Sequence, residues 1–176
     1  MSELDTRAAR RMAVRDVLVV GLTLAAWVFV AMLDPTRSPR LALVLALVAG
    51  VLTALNSYLV HEWGHLIGAW LGGAIVEVAD RPSSVFLFRF DTGRSSRREF
   101  LAMSFGGFAA SALSVALLVA VLPLDGAAGT AGKVALGLVA LGVLATFVLE
   151  VPVAWRVARG APLPSGAAYV SSSGAH

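Results

Sequence analysis

Cysteine is absent from the 176-residue chain. Its absence excludes disulfide bonds, thiol nucleophiles and cysteine-ligated metal sites. Charged residues are scarce as well, since Asp, Glu, Lys and Arg together make up only 14% of the sequence. The basic side chains are spread along the chain and form no single patch, which argues against a nucleic-acid partner. The sequence also lacks internal repeats and a glycine-rich phosphate-binding loop.

Apolar residues account for 58% of the chain, and the mean hydropathy is +0.82. A soluble domain of this length cannot bury so much apolar surface, which predicts an integral protein of a lipid bilayer. A basic N-terminal segment, residues 1–16, precedes the apolar run Val17–Leu33, as in a signal peptide. The run is longer than a signal sequence requires and no small-residue cleavage site follows it, so we interpret it as a retained membrane anchor.

Four apolar runs are predicted to cross the membrane: Val17–Leu33, Leu41–Leu71, Phe100–Leu122 and Val134–Trp155. The predicted fold is an all-α polytopic membrane protein with a small β-hairpin between its second and third spans. Residues 17–159 would form one membrane-embedded domain. Residues 160–176 are rich in Gly, Ala, Ser and Pro, which predicts a flexible tail.

Basic residues are divided unevenly between the two sides of this four-span arrangement. With the N-terminus inside, eleven lie on the inner side: Arg7, Arg10, Arg11, Arg15, Arg81, Arg89, Arg94, Arg97, Arg98, Arg156 and Arg159. Three lie on the outer side: Arg37, Arg40 and Lys133. The positive-inside rule therefore predicts a multi-pass protein of the cell membrane with both termini and the hairpin in the cytoplasm.

The polar insert between the second and third spans has the composition of two strands, Ala74–Ala79 and Val85–Asp91, joined by a turn. Phe86, Phe88 and Phe90 alternate with other residues and are predicted to share one face of the second strand. These phenylalanines are candidate substrate-binding residues, because an extended peptide could add to the hairpin as a further strand.

The second span contains the sequence His61-Glu62-Trp63-Gly64-His65 between uncharged stretches. On a helix, His61 and His65 share one face, and both imidazoles can reach a single metal ion. Glu62 lies beside them, where it can take a proton from a water molecule activated by zinc. Ionisable side chains inside a membrane are costly, which makes this cluster the candidate functional site.

A catalytic zinc site normally has three protein ligands, so a third ligand must come from elsewhere in the chain. The candidates are Glu150 and Asp125. Asp125 follows the third span and is expected on the opposite side of the membrane. Glu150 is the only acid of the fourth span and lies at about the depth of His65, so we expect it to be the ligand. Pro152 predicts a bend beside it.

Small polar residues surround the predicted site. Ser104 and Ser111 lie in the third span and are candidates for binding a substrate carbonyl, although the spacing of small residues there also suits close helix packing. Ser57 is four residues before His61 and is either a hydrogen-bond partner within the site or a contact between packed helices.

These features resemble the site-2 protease family of intramembrane zinc metalloproteases, in a small form. The resemblance extends over Leu41–Trp155 and rests on these segments: His61–His65, Leu71–Gly73, the hairpin insert, Ser104–Ser111 and Leu149–Pro152. The family's third ligand is usually the aspartate of a Leu-Asp-Gly motif. Here Leu124-Asp125-Gly126 matches that motif, but the predicted topology puts it on the side of the membrane opposite to the histidines.

The resemblance and the motif together predict a zinc endopeptidase that cleaves membrane-embedded or membrane-adjacent peptides, with Glu62 as the catalytic base. One alternative is a catalytically degenerate metal-binding protein that acts as a partner or structural component. A haem or ion-transport protein is another, although two histidines one turn apart suit a single small ion better.

Overall fold

A computed structural model describes residues 3–166 and 168–170, except for the side chains of residues 3–5 and 127. The elements are α1 (Glu3–Met32), α2 (Pro39–Gly72), β1 (Val76–Val78), β2 (Phe88–Asp91), α3 (Arg97–Val121), α4 (Gly126–Leu149), α5 (Val151–Ala158) and β3 (Tyr169–Val170).

Four helical stretches are long and apolar enough to cross a membrane: Thr6–Met32, Pro39–Gly72, Arg97–Val121 and Ala128–Ala158. Most of their apolar side chains point outward, as expected of helices that contact lipid. The prediction of a mostly helical chain with four helices that could span a membrane is thus confirmed.

The first helix begins well before Val17, where the sequence predicted its start. Residues 6–16 continue the helix because Ala8, Ala9 and Met12 are buried in a core shared with Val78 of β1. The helix therefore extends beyond the predicted span into residues 6–16, and the assignment of residues 1–16 to the cytoplasm stays a prediction.

Helices α2 and α3 pack with their backbones in contact. A methyl group on Gly106 would overlap the carbonyl oxygen of Gly64, and one on Gly68 would overlap that of Ala102. On α2 the glycines that face α3 recur every four residues, as Gly64, Gly68 and Gly72. Small residues at this spacing let membrane helices approach closely, which brings α3 against the face of α2 that carries the histidine motif.

The fourth span is interrupted at Glu150, which ends α4 and precedes α5. Pro152 lies in the first turn of α5, where a helix does not need the backbone N–H that proline lacks. The bend predicted beside Glu150 is therefore present as a break between two helices.

The three strands form one sheet in the order β1-β2-β3. Strands β1 and β2 are antiparallel, with Val76 opposite Phe90 and Val78 opposite Phe88, which confirms the hairpin with shorter strands than predicted. Strand β3 pairs with β2 in parallel. Tyr169–Val170 is therefore a short strand within the segment 160–176, whose flexibility stays a prediction, and residues 167 and 171–176 lie outside the described part of the chain.

The side chains of β2 differ in part from the alternation that was predicted. Phe88 and Phe90 are buried in the core, but Phe86 precedes the strand and is 40% exposed. Leu87, predicted on the opposite face, is buried as well. The three phenylalanines nevertheless line the same cavity, as expected of residues that share a face, and Phe86 is the most exposed of them.

Candidate metal centre

Three side chains from two helices converge where α4 ends. The Nε2 atoms of His61 and His65 are 3.0 Å apart, and Glu150 Oε2 lies 3.4 Å from the first and 3.2 Å from the second. Ligand atoms about 2.0–2.1 Å from a tetrahedral zinc ion are roughly 3.3 Å apart, so this triangle has the size that zinc requires. The group His61, His65 and Glu150 could hold a metal ion.

Hydrogen bonds from α3 orient both imidazoles toward this point. His65 Nδ1 lies 3.0 Å from the carbonyl oxygen of Met103, and His61 Nδ1 lies 3.2 Å from that of Gly107 and 2.7 Å from Ser111 Oγ. A carbonyl oxygen can only accept, so each Nδ1 carries the hydrogen. In a neutral ring each Nε2 is then a lone-pair donor aimed at the common centre.

The chemistry of this donor set fits a cation. With both rings neutral, two Nε2 lone pairs and a carboxylate oxygen converge without a hydrogen-bond donor between them, an arrangement that is unfavourable unless a metal ion or a proton supplies positive charge at its centre. The His61 and His65 side chains are only 8% and 12% exposed, whereas that of Glu150 is 40% exposed. The two histidines thus lie in the protein interior, and the site is open to its surroundings beside Glu150.

Glu150 and Asp125, the two candidates for the third ligand, lie at opposite ends of α4. Asp125 precedes the first residue of the helix and is exposed. Since α4 has 24 residues, the two acids are separated by roughly 36 Å. The structure therefore brings Glu150, and not Asp125, to the histidines.

Glu62 lies on the side of the centre that faces the sheet. Its Oε2 accepts a hydrogen bond of 3.2 Å from the backbone N–H of Leu87, just before β2. A cavity of about 160 Å³ separates the metal ligands from the strands and is lined by residues that include Glu62, His65, Phe86, Ser104, Glu150 and Tyr169. This volume suits several water molecules or a short piece of peptide backbone.

The serines predicted near the site have different roles. Ser111 contacts a histidine ring directly, whereas Ser104 is buried and lines the cavity. Ser57 forms a hydrogen bond of 3.0 Å with Ser114, so of its two predicted roles the contact between packed helices is the one present. Its hydroxyl faces α3 one turn farther from the motif.

Residues that the sequence did not single out hold the covering loop, residues 79–87, over the histidine helix. Arg15 Nη1 donates to the carbonyl oxygens of Pro82 and Ser84, at 2.9 and 3.1 Å, and the Tyr58 hydroxyl donates to Val85 O at 2.7 Å. The residues involved lie between 27 and 69 positions apart. Pairs so distant in sequence leave no local pattern that could predict them.

A buried acid connects α1 with the motif. Asp16 is only 8% exposed, and its two oxygens accept from Arg15 Nε at 2.6 Å and from Trp63 Nε1 at 2.7 Å. A buried carboxylate requires such partners, and these two pair its charge and satisfy both oxygens. The first helix thereby supports the helix that carries His61 and His65.

Tyr169 of β3 reaches the same cavity from the sheet. Its ring centre is 6.2 Å from that of Phe100. Burial raises the pKa of the Tyr169 phenol, and the negative charge of Glu150 raises this pKa further. The C-terminal strand therefore forms part of the wall of the candidate centre.

No protein-family model matches the chain, and no curated protein or solved structure is significantly similar to it. The likeness to site-2 proteases therefore rests on the residues and motifs quoted for it and stays a prediction.

Proposed function

We propose that the protein is an intramembrane zinc metalloprotease that hydrolyses peptide bonds of membrane-embedded or membrane-adjacent polypeptides. The observation that carries the proposal is the triangle of His61 Nε2, His65 Nε2 and Glu150 Oε2, with the Glu62 carboxylate beside it. A structural metal site does not require an additional carboxylate on the wall of an open cavity. A hydrolytic site does, because a base must take the proton of the attacking water.

Each residue has a defined part in this mechanism. His61, His65 and Glu150 would hold zinc, which acts as a Lewis acid that activates water and polarises the scissile carbonyl. Glu62 takes the proton of the water and delivers it to the leaving amine. The carbonyl oxygens of Met103 and Gly107 keep both imidazoles in the ligand tautomer through their Nδ1–H groups.

We further propose that the site opens toward the cytoplasm of the cell and that both termini lie there. The excess of basic residues on the side of the chain that carries the hairpin supports this orientation. Water would then reach the cavity from the cytoplasmic side, without crossing the bilayer core.

Replacing the base should separate binding from catalysis. We expect Glu62→Gln to retain zinc and to lower cleavage of quenched fluorescent peptides with apolar segments, in detergent, by about 10²–10⁴-fold. Glu77→Gln, at an exposed residue of β1, is the matched control and should leave both properties unchanged. Undiminished cleavage by Glu62→Gln would exclude Glu62 as the base. Zinc binding by a wild-type protein that cleaves no peptide would favour the degenerate alternative.

A further inference from the structure

The third strand occupies the outer edge of β2. The backbone N–H of Phe90 donates to Ala168 O at 3.1 Å, and that of Thr92 donates to Val170 O at 2.8 Å. The Thr92 hydroxyl donates to the same Val170 oxygen at 3.1 Å. Because β1 covers the other edge, this is the edge to which a further strand can add.

The same edge leads directly to the metal centre. Leu87, which precedes β2, donates its N–H to Glu62, and Phe88 and Phe90 line the cavity beside Glu150. Ala168 and Tyr169 of the C-terminal segment line that cavity as well. A backbone paired along β2 toward Phe88 would therefore approach the base and the metal ligands.

We infer that residues 168–170 act as an intramolecular competitor at the outer edge of β2, where they hold the place that an extended peptide, added in parallel as a further strand, would take. The statement that the competing peptide is a substrate rests on the proposed function. The competition itself requires only that the edge bind an extended peptide.

A turn precedes the part of the tail that pairs with β2. Gly166 has φ 146°, a value that favours glycine, and its carbonyl oxygen accepts from Tyr169 N at 3.0 Å. Because β3 runs parallel to β2, this turn precedes the Tyr169–Phe90 pair and so lies toward the Phe88 end of the edge. A peptide without such a turn could continue along β2 past Phe88.

The contacts of β3 also indicate which peptides would fit. Tyr169 pairs with Phe90, and its ring packs near Phe100, which itself lies 5.7 Å from the ring of Phe90. Aromatic rings in such contact add to the stability of a paired strand. An unwound segment with an aromatic residue followed by a β-branched one therefore fits this edge best.

Peptide binding tests the competition independently of proteolysis. The probe is a fluorescent peptide with the sequence of residues 164–173, and every protein carries Glu62→Gln so that the probe is not cleaved. A segment tethered by a short linker acts at an effective concentration in the millimolar range, so it should exclude the added peptide. We expect Val170→Pro, which removes a donor from β3, to bind the probe at least about tenfold more tightly than the protein with the intact tail.

Controls distinguish displacement of the tail from damage to the fold. Ser165→Ala, at an exposed position before the strand, should bind as weakly as the intact tail. A probe carrying proline at the position of Val170 should not bind. Zinc content reports on the fold, and Tyr169→Ala serves in place of Val170→Pro if that variant loses zinc.

The two proposals can fail separately. Equal affinity of the probe for all variants, or no binding to any zinc-loaded variant, would overturn the inference. Tighter binding to the tail variants, together with no peptide cleavage by proteins that retain Glu62, would support the strand competition and count against the protease assignment.

Discussion

At the scale of single residues, the choice of Glu150 over Asp125 determines where the third ligand lies. Removing a hydrogen-bond partner behind a ligand typically weakens metal affinity by about 10–100-fold, so removing a ligand should cost more. We therefore expect Glu150→Ala to bind zinc at least roughly 100-fold more weakly, as measured by competition with a chromogenic chelator. Asp125→Ala is the matched control and should bind zinc like the wild type. Zinc loss from Asp125→Ala alone would contradict the ligand set.

The sequence was sufficient to select Glu150, because helix rise converts position along a span into depth and only one acid lies at the depth of His65. The sequence could not predict that Ser111, and not Ser57, would form the hydrogen bond with His61. Which side of α3 faces the motif depends on how that helix is rotated about its axis. Backbone contacts between Gly106 and Gly64 set this rotation, and such contacts appear only once both helices are placed.

At the scale of helices and strands, the close approach of α2 and α3 aligns the carbonyl oxygens that hold the two imidazoles. A methyl group at Gly106 would meet the backbone of Gly64 and Gly68, which cannot yield as a side chain can. We expect Gly106→Ala to lower the free energy of unfolding by about 1–3 kcal/mol, measured by denaturation in detergent.

The same substitution should weaken zinc binding, since α3 would move away from His65. Gly137→Ala in α4 is the matched control, because a methyl group there meets nothing within 4 Å. It should leave both stability and zinc affinity nearly unchanged. A Gly106→Ala protein as stable as the control would show that the contact between the helices is not tight.

Strand β3 marks the limit of what local patterns predict about these elements. The hairpin was predictable because β1 and β2 lie close in sequence and both have strand composition. Tyr169–Val170 is a two-residue strand that forms only through pairing with β2, far away in the chain. The segment around this strand, residues 160–176, is rich in small residues and proline, and this composition predicted a flexible tail.

At the scale of the whole molecule, the proposed orientation puts the candidate metal centre on the side that carries most of the basic residues. The loop before α2 contains Thr36, and the covering loop contains Ser83, so the two residues flank a 34-residue helix that could span the bilayer. Since the covering loop contacts Glu62 through Leu87, its side of the membrane is also the side on which the centre opens.

Because the chain has no cysteine, single introduced thiols can report on this orientation without background labelling. We expect a membrane-impermeant maleimide applied to intact cells to label Thr36→Cys, and to label Ser83→Cys only after the membrane is permeabilised. The excess of basic residues around Ser83 favours its retention in the cytoplasm. Wild-type protein is the unlabelled control. Labelling of Ser83→Cys in intact cells would reverse the orientation, and with it the side from which water and substrate reach the metal.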